Sequence, residues 1–119
     1  MDSRRQQKIA QLLQEEFSQM LMTDIKSMLL GSFATLTYVT VTSDLSIARF
    51  NISILGYENK QKVIDHLNEN KNEVRRYLGN RMRNDLRKIP DIIFHLDDRL
   101  DYVDKMEEVF KKIKEEEDN

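Results

Sequence analysis

Thr35-Leu36-Thr37-Tyr38-Val39-Thr40-Val41-Thr42, Ser43-Asp44-Leu45-Ser46 and Ile47-Ala48-Arg49-Phe50-Asn51-Ile52-Ser53-Ile54-Leu55 decide the fold. The first of these segments is crowded with β-branched side chains, which suit a pleated surface. In the third, Ala48, Phe50, Ile52 and Ile54 alternate with Arg49, Asn51 and Ser53. That period of two predicts a strand with one dry and one wet face. A four-residue connection between two such runs predicts an antiparallel hairpin over 35–42 and 47–55.

Toward the N-terminus the period changes. Ile9, Leu12, Leu13, Phe17, Met20 and Leu21 recur at three- and four-residue steps, so 3–28 is predicted as one amphipathic helix. Ser3 or Asp2 supplies its N-cap, and Gly31-Ser32 ends it. Toward the C-terminus, Gly56 breaks the strand and a helix over 58–69 carries Val63, Ile64 and Leu67. The polar run Asn68-Glu69-Asn70-Lys71-Asn72 interrupts it. Helical spacing resumes with Val74, Tyr77, Leu78, Met82 and Leu86, with Gly79 expected to weaken this second helix and to permit close packing. Pro90 closes the section, and Ile92, Phe94 and Leu96 form a third strand. A last helix from Asp101 carries Val103, Met106, Val109, Phe110 and Ile113 and runs into the acidic residues 115–119, expected to be disordered.

The order α-β-β-α-α-β-α implies an α+β domain with a three-stranded mixed sheet and helices on one face. The third strand joins the second in parallel through a right-handed crossover. The expected core is Leu12, Leu13, Phe17, Val39, Val41, Phe50, Ile52, Val63, Leu67, Tyr77, Leu78, Phe94 and Leu96. At 119 residues the chain is long enough for one core, placed in 1–114 with 115–119 as a tail.

Composition narrows the chemistry. The absence of Cys excludes disulfides and thiolate chemistry. No apolar run is long enough to span a bilayer and no apolar segment follows the basic N-terminus, so a cytoplasmic location and no membrane partner are expected. His66 and His95 lack metal-ligand partners at local spacing, and Asp97, Asp98 and Asp101 are explained by capping at a strand-to-helix junction. No Walker A, G-x-G-x-x-G, nucleophile-elbow or H-E-x-x-H pattern occurs. Neither catalysis, a cofactor nor a metal is expected.

The net charge of −2 conceals an asymmetry. Residues 1–90 carry 14 Lys/Arg against 10 Asp/Glu, whereas 91–119 carry 5 against 11. The basic charge concentrates in 71–88, where Lys71, Arg75, Arg76, Arg81, Arg83, Arg87 and Lys88 face only Glu73 and Asp85. On a continuous helix Arg76, Arg83 and Arg87 would share an arc of roughly 40°, opposite the apolar stripe. Guanidiniums grip phosphate with two parallel hydrogen bonds, so this row predicts an anion-binding face. Arg4, Arg5 and Lys8 form a second cluster, placed against the helix dipole. A solvated helix face is the ordinary explanation of such charges, but solvated faces usually mix both signs.

Three fragments carry a resemblance. Val39 to Arg49, Val74 to Arg83 and Ile89 to Leu100, in this order and spacing, closely resemble bacterial ribosome-binding factor A. The resemblance implies a type II KH-like fold with an extra C-terminal helix. It implies binding to the small (30S) ribosomal subunit and its 16S rRNA, and a role in late subunit maturation that includes 5′-end processing of the rRNA. It also implies growth in the cold, no catalysis and no cofactor. Ribosomal proteins and a release GTPase are further candidate partners, and a monomer is expected. The RNA-binding candidates are Arg4, Arg5, Lys8, Lys71, Arg75, Arg76, Arg81, Arg83, Arg87 and Lys88. Where the family has an Ala-x-Gly kink between two helices, this chain has Asn70-Lys71-Asn72, and because asparagine tolerates left-handed backbone the kink is expected to survive. The stretch from Met82 to Pro90 is longer by a residue or two than in better-known members, which predicts half a turn more of basic helix. The alternative function is a protein-interaction module that uses the Arg face to dock an acidic partner.

Overall fold

A computed structural model describes residues 3–98. The cap alternative Asp2, the helix expected from Asp101 and the tail 115–119 lie outside the described residues. The quoted hairpin is present as β1 (Phe33–Val41) and β2 (Ile47–Leu55), paired antiparallel. Leu36 pairs with Ile52 but Tyr38 with Asn51, so Thr37 is an extra residue in β1. That bulge resets the alternation, and only because of it can Leu36 and Val41, an odd number of residues apart, both be buried. The Thr37 hydroxyl donates at 2.6 Å to Asp97, a buried carboxylate just past the third strand.

Helix α1 (Arg4–Met22) starts with a capping box. The Ser3 hydroxyl accepts from the Gln6 amide and the Gln6 side chain accepts from the Ser3 amide. Gln6 also donates through Nε2 to the Val41 carbonyl at 3.0 Å, fastening the start of the helix to the end of β1. The helix stops at Met22 rather than near 28 as the periodicity suggested. The Ile25 amide reaches back to Met20 O, and a short 3-10 turn over Lys26–Leu29 folds Ile25, Met28 and Leu29 into the core.

After β2 come α2 (Lys60–Glu69), α3 (Lys71–Arg81) and β3 (Asp91–Leu96). Strand β3 pairs parallel with β2, giving the order β1-β2-β3. Asn68 of α2 covers its outer edge. The side-chain amide accepts from Phe94 N at 3.0 Å and donates to Phe94 O at 3.1 Å, as a neighbouring strand would. The kink between α2 and α3 is made without left-handed backbone. Asn70 has φ −107° and ψ 18° and donates through Nδ2 to His66 O at 2.8 Å. The break between the helices is therefore kept at Asn70, but without drawing on asparagine's tolerance of left-handed backbone, because the side chain caps the last turn of α2 instead.

The extended basic helix is also corrected. Helix α3 ends at Arg81, and 82–85 form a turn in which the Leu86 amide bonds to Met82 O at 3.0 Å. Chain length makes a helix to residue 88 impossible here. Arg75 touches the Ile89 and Pro90 carbonyls. A helix would carry residue 88 about 20 Å beyond residue 75, and two extended residues return only about 7 Å. The wheel that aligned Arg83 and Arg87 with Arg76 does not apply.

The three described α-helices pack on the face of the sheet that presents Ala48, Phe50, Ile52, Ile54, Ile92 and Phe94. At its centre Phe17 of α1 stacks on Phe50 with ring centroids 4.7 Å apart, and Phe94 lies 5.6 and 5.7 Å from the two. Of the expected core, Leu12, Val39, Tyr77 and Leu96 are only half-buried. Among the described residues no helix is long and apolar enough to cross a membrane.

Candidate nucleic-acid interface

The cations singled out in the sequence divide into two groups. Those on α3 are engaged within the protein. Lys71 Nζ lies 3.7 Å from Asp91, and Arg76 lies 3.5 Å from Glu73 with its guanidinium over the Tyr77 ring. Arg75 donates to Ile89 O at 3.0 Å and to Pro90 O at 3.2 Å. Arg81 is the most committed. It donates to Asp24 at 2.9 Å, Gln19 at 3.1 Å, and Glu16 and Thr23 at 3.3 Å, all on or just after α1. The hydrogen bond to Asp24 raises the Arg81 pKa above the ordinary guanidinium value.

The second group is Arg4, Arg5, Lys8, Arg83, Arg87 and Lys88. These residues are exposed, and their side chains make no hydrogen bond or ion pair among the described residues. Three of them meet at a cleft of about 590 Å³. Arg5 comes from the first turn of α1, and Arg87 and Lys88 from the loop before β3. Asp44, Leu45 and Ser46 of the hairpin turn form another wall, and Arg75 lies in the lining.

Local bonds fix these walls against one another. Gln6 ties α1 to Val41 beside the turn. The Asp91 amide donates to Ser46 O at 2.8 Å, joining the start of β3 to the turn. Arg75 holds the carbonyls of 89 and 90. Inside the turn Asp44 Oδ1 accepts from the Ser46 hydroxyl at 2.7 Å, the Thr42 hydroxyl at 2.8 Å and the Ser46 amide at 3.1 Å. The Ser46 hydroxyl, then that of Thr42, holds the Asp44 pKa below the ordinary carboxylate value. This network supports Leu45 at φ +61°, a left-handed conformation uncommon for a residue with a branched side chain.

Of the ten candidate cations, Arg5, Arg75, Arg87 and Lys88 line the cleft. Arg4 and Lys8 lie near Arg5 on α1, whereas Arg83 stands exposed in the turn after α3. Arg76 is exposed on α3, and Lys71 reaches the cleft only through its contact with Asp91. Arg81 points to the far half of α1. Asn72 is exposed. His66 is half-buried and 4.0 Å from Glu69, and His95 is exposed on β3. The contribution of the hairpin turn was not expected. The signal available for it was the spacing of Thr42, Asp44 and Ser46, which lets one carboxylate accept from both flanks.

The family model described as "Ribosome-binding factor A" matches residues 5–110. A ribosome-binding factor A of Cytophaga hutchinsonii is 36% identical over 122 aligned residues, covering 100% of this chain and 92% of the relative. That of Christiangramia forsetii is 38% identical over 98% of this chain and 88% of its own. Among solved structures, the crystal structure of ribosome-binding factor A from Thermus thermophilus superposes with a TM-score of 0.61 at 13% identity, covering 76% of this chain and 94% of that one. A Thermus thermophilus ribosome binding factor A homology model, fitted into a cryo-EM map of a 30S complex, gives a TM-score of 0.57 at 16% identity over 71% and 87%. At these identities the structural likeness establishes the fold.

Proposed function

The chain belongs to the ribosome-binding factor A family, and from that premise we propose that it binds the small (30S) ribosomal subunit through its 16S rRNA, with the cleft as the phosphate-gripping surface. The observation that carries this assignment is the meeting of Arg5, Arg87 and Lys88, unpaired among the described residues, from two regions of the chain about eighty residues apart. Cations left free of internal carboxylates are available to displace counterions from RNA, and that release dominates binding. Arg4, Lys8 and Arg83 extend the basic surface, and Arg75 shapes the loop that presents it.

The protein then acts by binding, as a cytoplasmic monomer whose domain spans 1–114. It assists late maturation of the subunit, including 5′-end processing of the rRNA, and supports growth in the cold. Ribosomal proteins and a release GTPase complete the set of partners. A protein-docking role is the alternative, favoured by Met22 and Phe33, apolar side chains that are 78% and 73% exposed.

An Arg5→Gln, Arg87→Gln, Lys88→Gln triple variant tests the assignment. All three side chains are exposed, so the melting temperature should stay within about 4 °C of wild type. Co-sedimentation with small subunits should fall at least about tenfold near 150 mM salt, and the salt slope for naked rRNA should drop by roughly two to three units. Wild-type co-sedimentation by this variant would remove the cleft from consideration. Weak, salt-insensitive binding of wild type to naked rRNA would favour docking to protein. Primer extension on rRNA from cells lacking the protein should reveal 5′-extended precursor, and its absence would confine the role to binding.

A further inference from the structure

We propose that the cleft takes one unstacked nucleotide and that Asp85 selects guanine as its base, an inference that rests on the cleft being the RNA-binding surface. Phosphate alone would call for cations only, yet Asp44, Asp85 and Asp91 line the same cleft. Carboxylates there oppose phosphate unless they meet hydrogen-bond donors. Two of them already do. Asp44 accepts from Thr42 and Ser46, and Asp91 Oδ1 accepts from the Ile92 amide at 3.0 Å and faces Lys71. The Asp85 side chain is exposed and makes no hydrogen bond or ion pair among the described residues.

An ionised carboxylate only accepts hydrogen bonds, and does so best from two parallel donors. Among the four RNA bases guanine alone offers two neighbouring donors of that kind, N1–H and the N2 amino group. Adenine and cytosine present an amino group beside an acceptor nitrogen, and uracil presents N3–H between two carbonyls. The rest of the cleft fits a base as well. Leu45, Leu86, Ile89 and Pro90 supply apolar walls for a ring, and Arg5, Arg87 and Lys88 stand ready for its phosphate. Its 590 Å³ falls within the range of about 300–1,000 Å³ that holds one small organic ligand, and is too small for a duplex. Sequence-specific RNA recognition commonly reads a splayed base on its Watson–Crick edge in this way.

The probes are fluorescein-labelled heptanucleotides, UUUGUUU, UUUAUUU, UUUCUUU and UUUUUUU, titrated with the full-length protein by anisotropy at about 100 mM salt. Wild type should bind the guanine probe about fivefold to tenfold more tightly than the other three. Asp85→Asn should bring all four within about twofold while leaving the affinity for UUUUUUU equal or slightly higher, since a negative charge is lost. Because Asp85 is exposed, its melting curve should match wild type. No guanine preference in wild type, or a preference that survives Asp85→Asn, overturns the proposal. If the probes bind without preference while the Arg5, Arg87, Lys88 variant loses small subunits, guanine selection fails and the RNA surface stands. If that variant retains subunits, the surface itself is elsewhere and the proposal falls with it.

Discussion

The two halves of the basic stretch 71–88 look alike in composition and differ in what their charges do. In the first half Lys71, Arg75, Arg76 and Arg81 each meet a carboxylate or a carbonyl of the protein. In the second half Arg83, Arg87 and Lys88 meet none among the described residues. The helical half lies between α1 and β3, where acceptors are close. The loop half turns away from them and runs back along α3 toward the hairpin. An arginine-rich segment is therefore not uniformly a binding surface. Arg75 and Arg81, bonded to other elements, set the shape of the fold, Arg76 holds only a surface pair with Glu73 of its own helix, and the cations left over are available to a partner.

The comparison breaks most visibly at Arg81 and Arg87. Arg81→Gln removes the fork that ties α3 to Glu16, Gln19, Thr23 and Asp24, and leaves both carboxylates without that cation. Charge-assisted hydrogen bonds of this kind contribute roughly 1.5–3 kcal/mol, so a loss of about 2 kcal/mol in urea denaturation is expected. Arg87→Gln should stay within about 0.5 kcal/mol of wild type. Their effects on subunit binding should run the other way once both proteins are folded. Equal losses of stability would show that the division between engaged and free cations is wrong.

A smaller effect sharpens the boundary between the two halves. Gly79 sits within α3 where Ile89 of the returning loop crosses it. The sequence suggested that this glycine permits close packing. A Cβ added there would lie 3.7 Å from Ile89 Cγ1, an ordinary van der Waals contact, and the backbone is helical. Gly79→Ala should therefore stabilise the protein by about 0.5–1 kcal/mol through helix propensity and reduced unfolded-state entropy. A destabilised variant would mean that the loop lies closer to α3 than described.

How far the sequence could be followed depends on the range of the interactions concerned. Ser3 as a cap, the alternation from Ala48 to Ile52 and the apolar stripe of α1 are local signals, and all three reappear in the structure, whereas Ser53, expected on the wet face of β2, is buried. The end of α3 is not local. Met82 and Leu86 continue the helical spacing, but Pro90 has to return to the hairpin turn where Asp91 meets Ser46, and that closure overrides the pattern. The cleft cations Arg5, Arg87 and Lys88 were in the candidate set, but so were Arg75 and Arg81, because their acceptors are the Ile89 and Pro90 carbonyls and the distant Glu16 and Asp24. The bulge at Thr37 was missed for the same reason. Its warrant is the burial of both Leu36 and Val41, which only a folded sheet reveals.

The smallest effect concerns acids rather than bases, and it extends the comparison to the cleft wall. Asp44 is engaged by its own turn, as Arg81 is by α1, so it should titrate as a bound group. The hydroxyls of Ser46 and Thr42 donate to the ionised form and lower its pKa below the ordinary 3.8. A carboxyl depressed on folding contributes stability that is fully present above its unfolded pKa and lost as pH falls through the folded one. The turn should therefore persist through pH 4 and loosen only below about 3.8. A carboxyl-detected NMR titration should place the Asp44 midpoint below 3.8, with the Ser46 amide shift following the same curve. Ser46→Ala removes the largest contribution and should move the midpoint upward, more than Thr42→Val does. Coincident midpoints for wild type and Ser46→Ala would show that the hydroxyl does not hold the carboxylate in solution. Asp44 would then be as available to a ligand as Asp85, and the engaged and free acids of the cleft could no longer be told apart by their contacts.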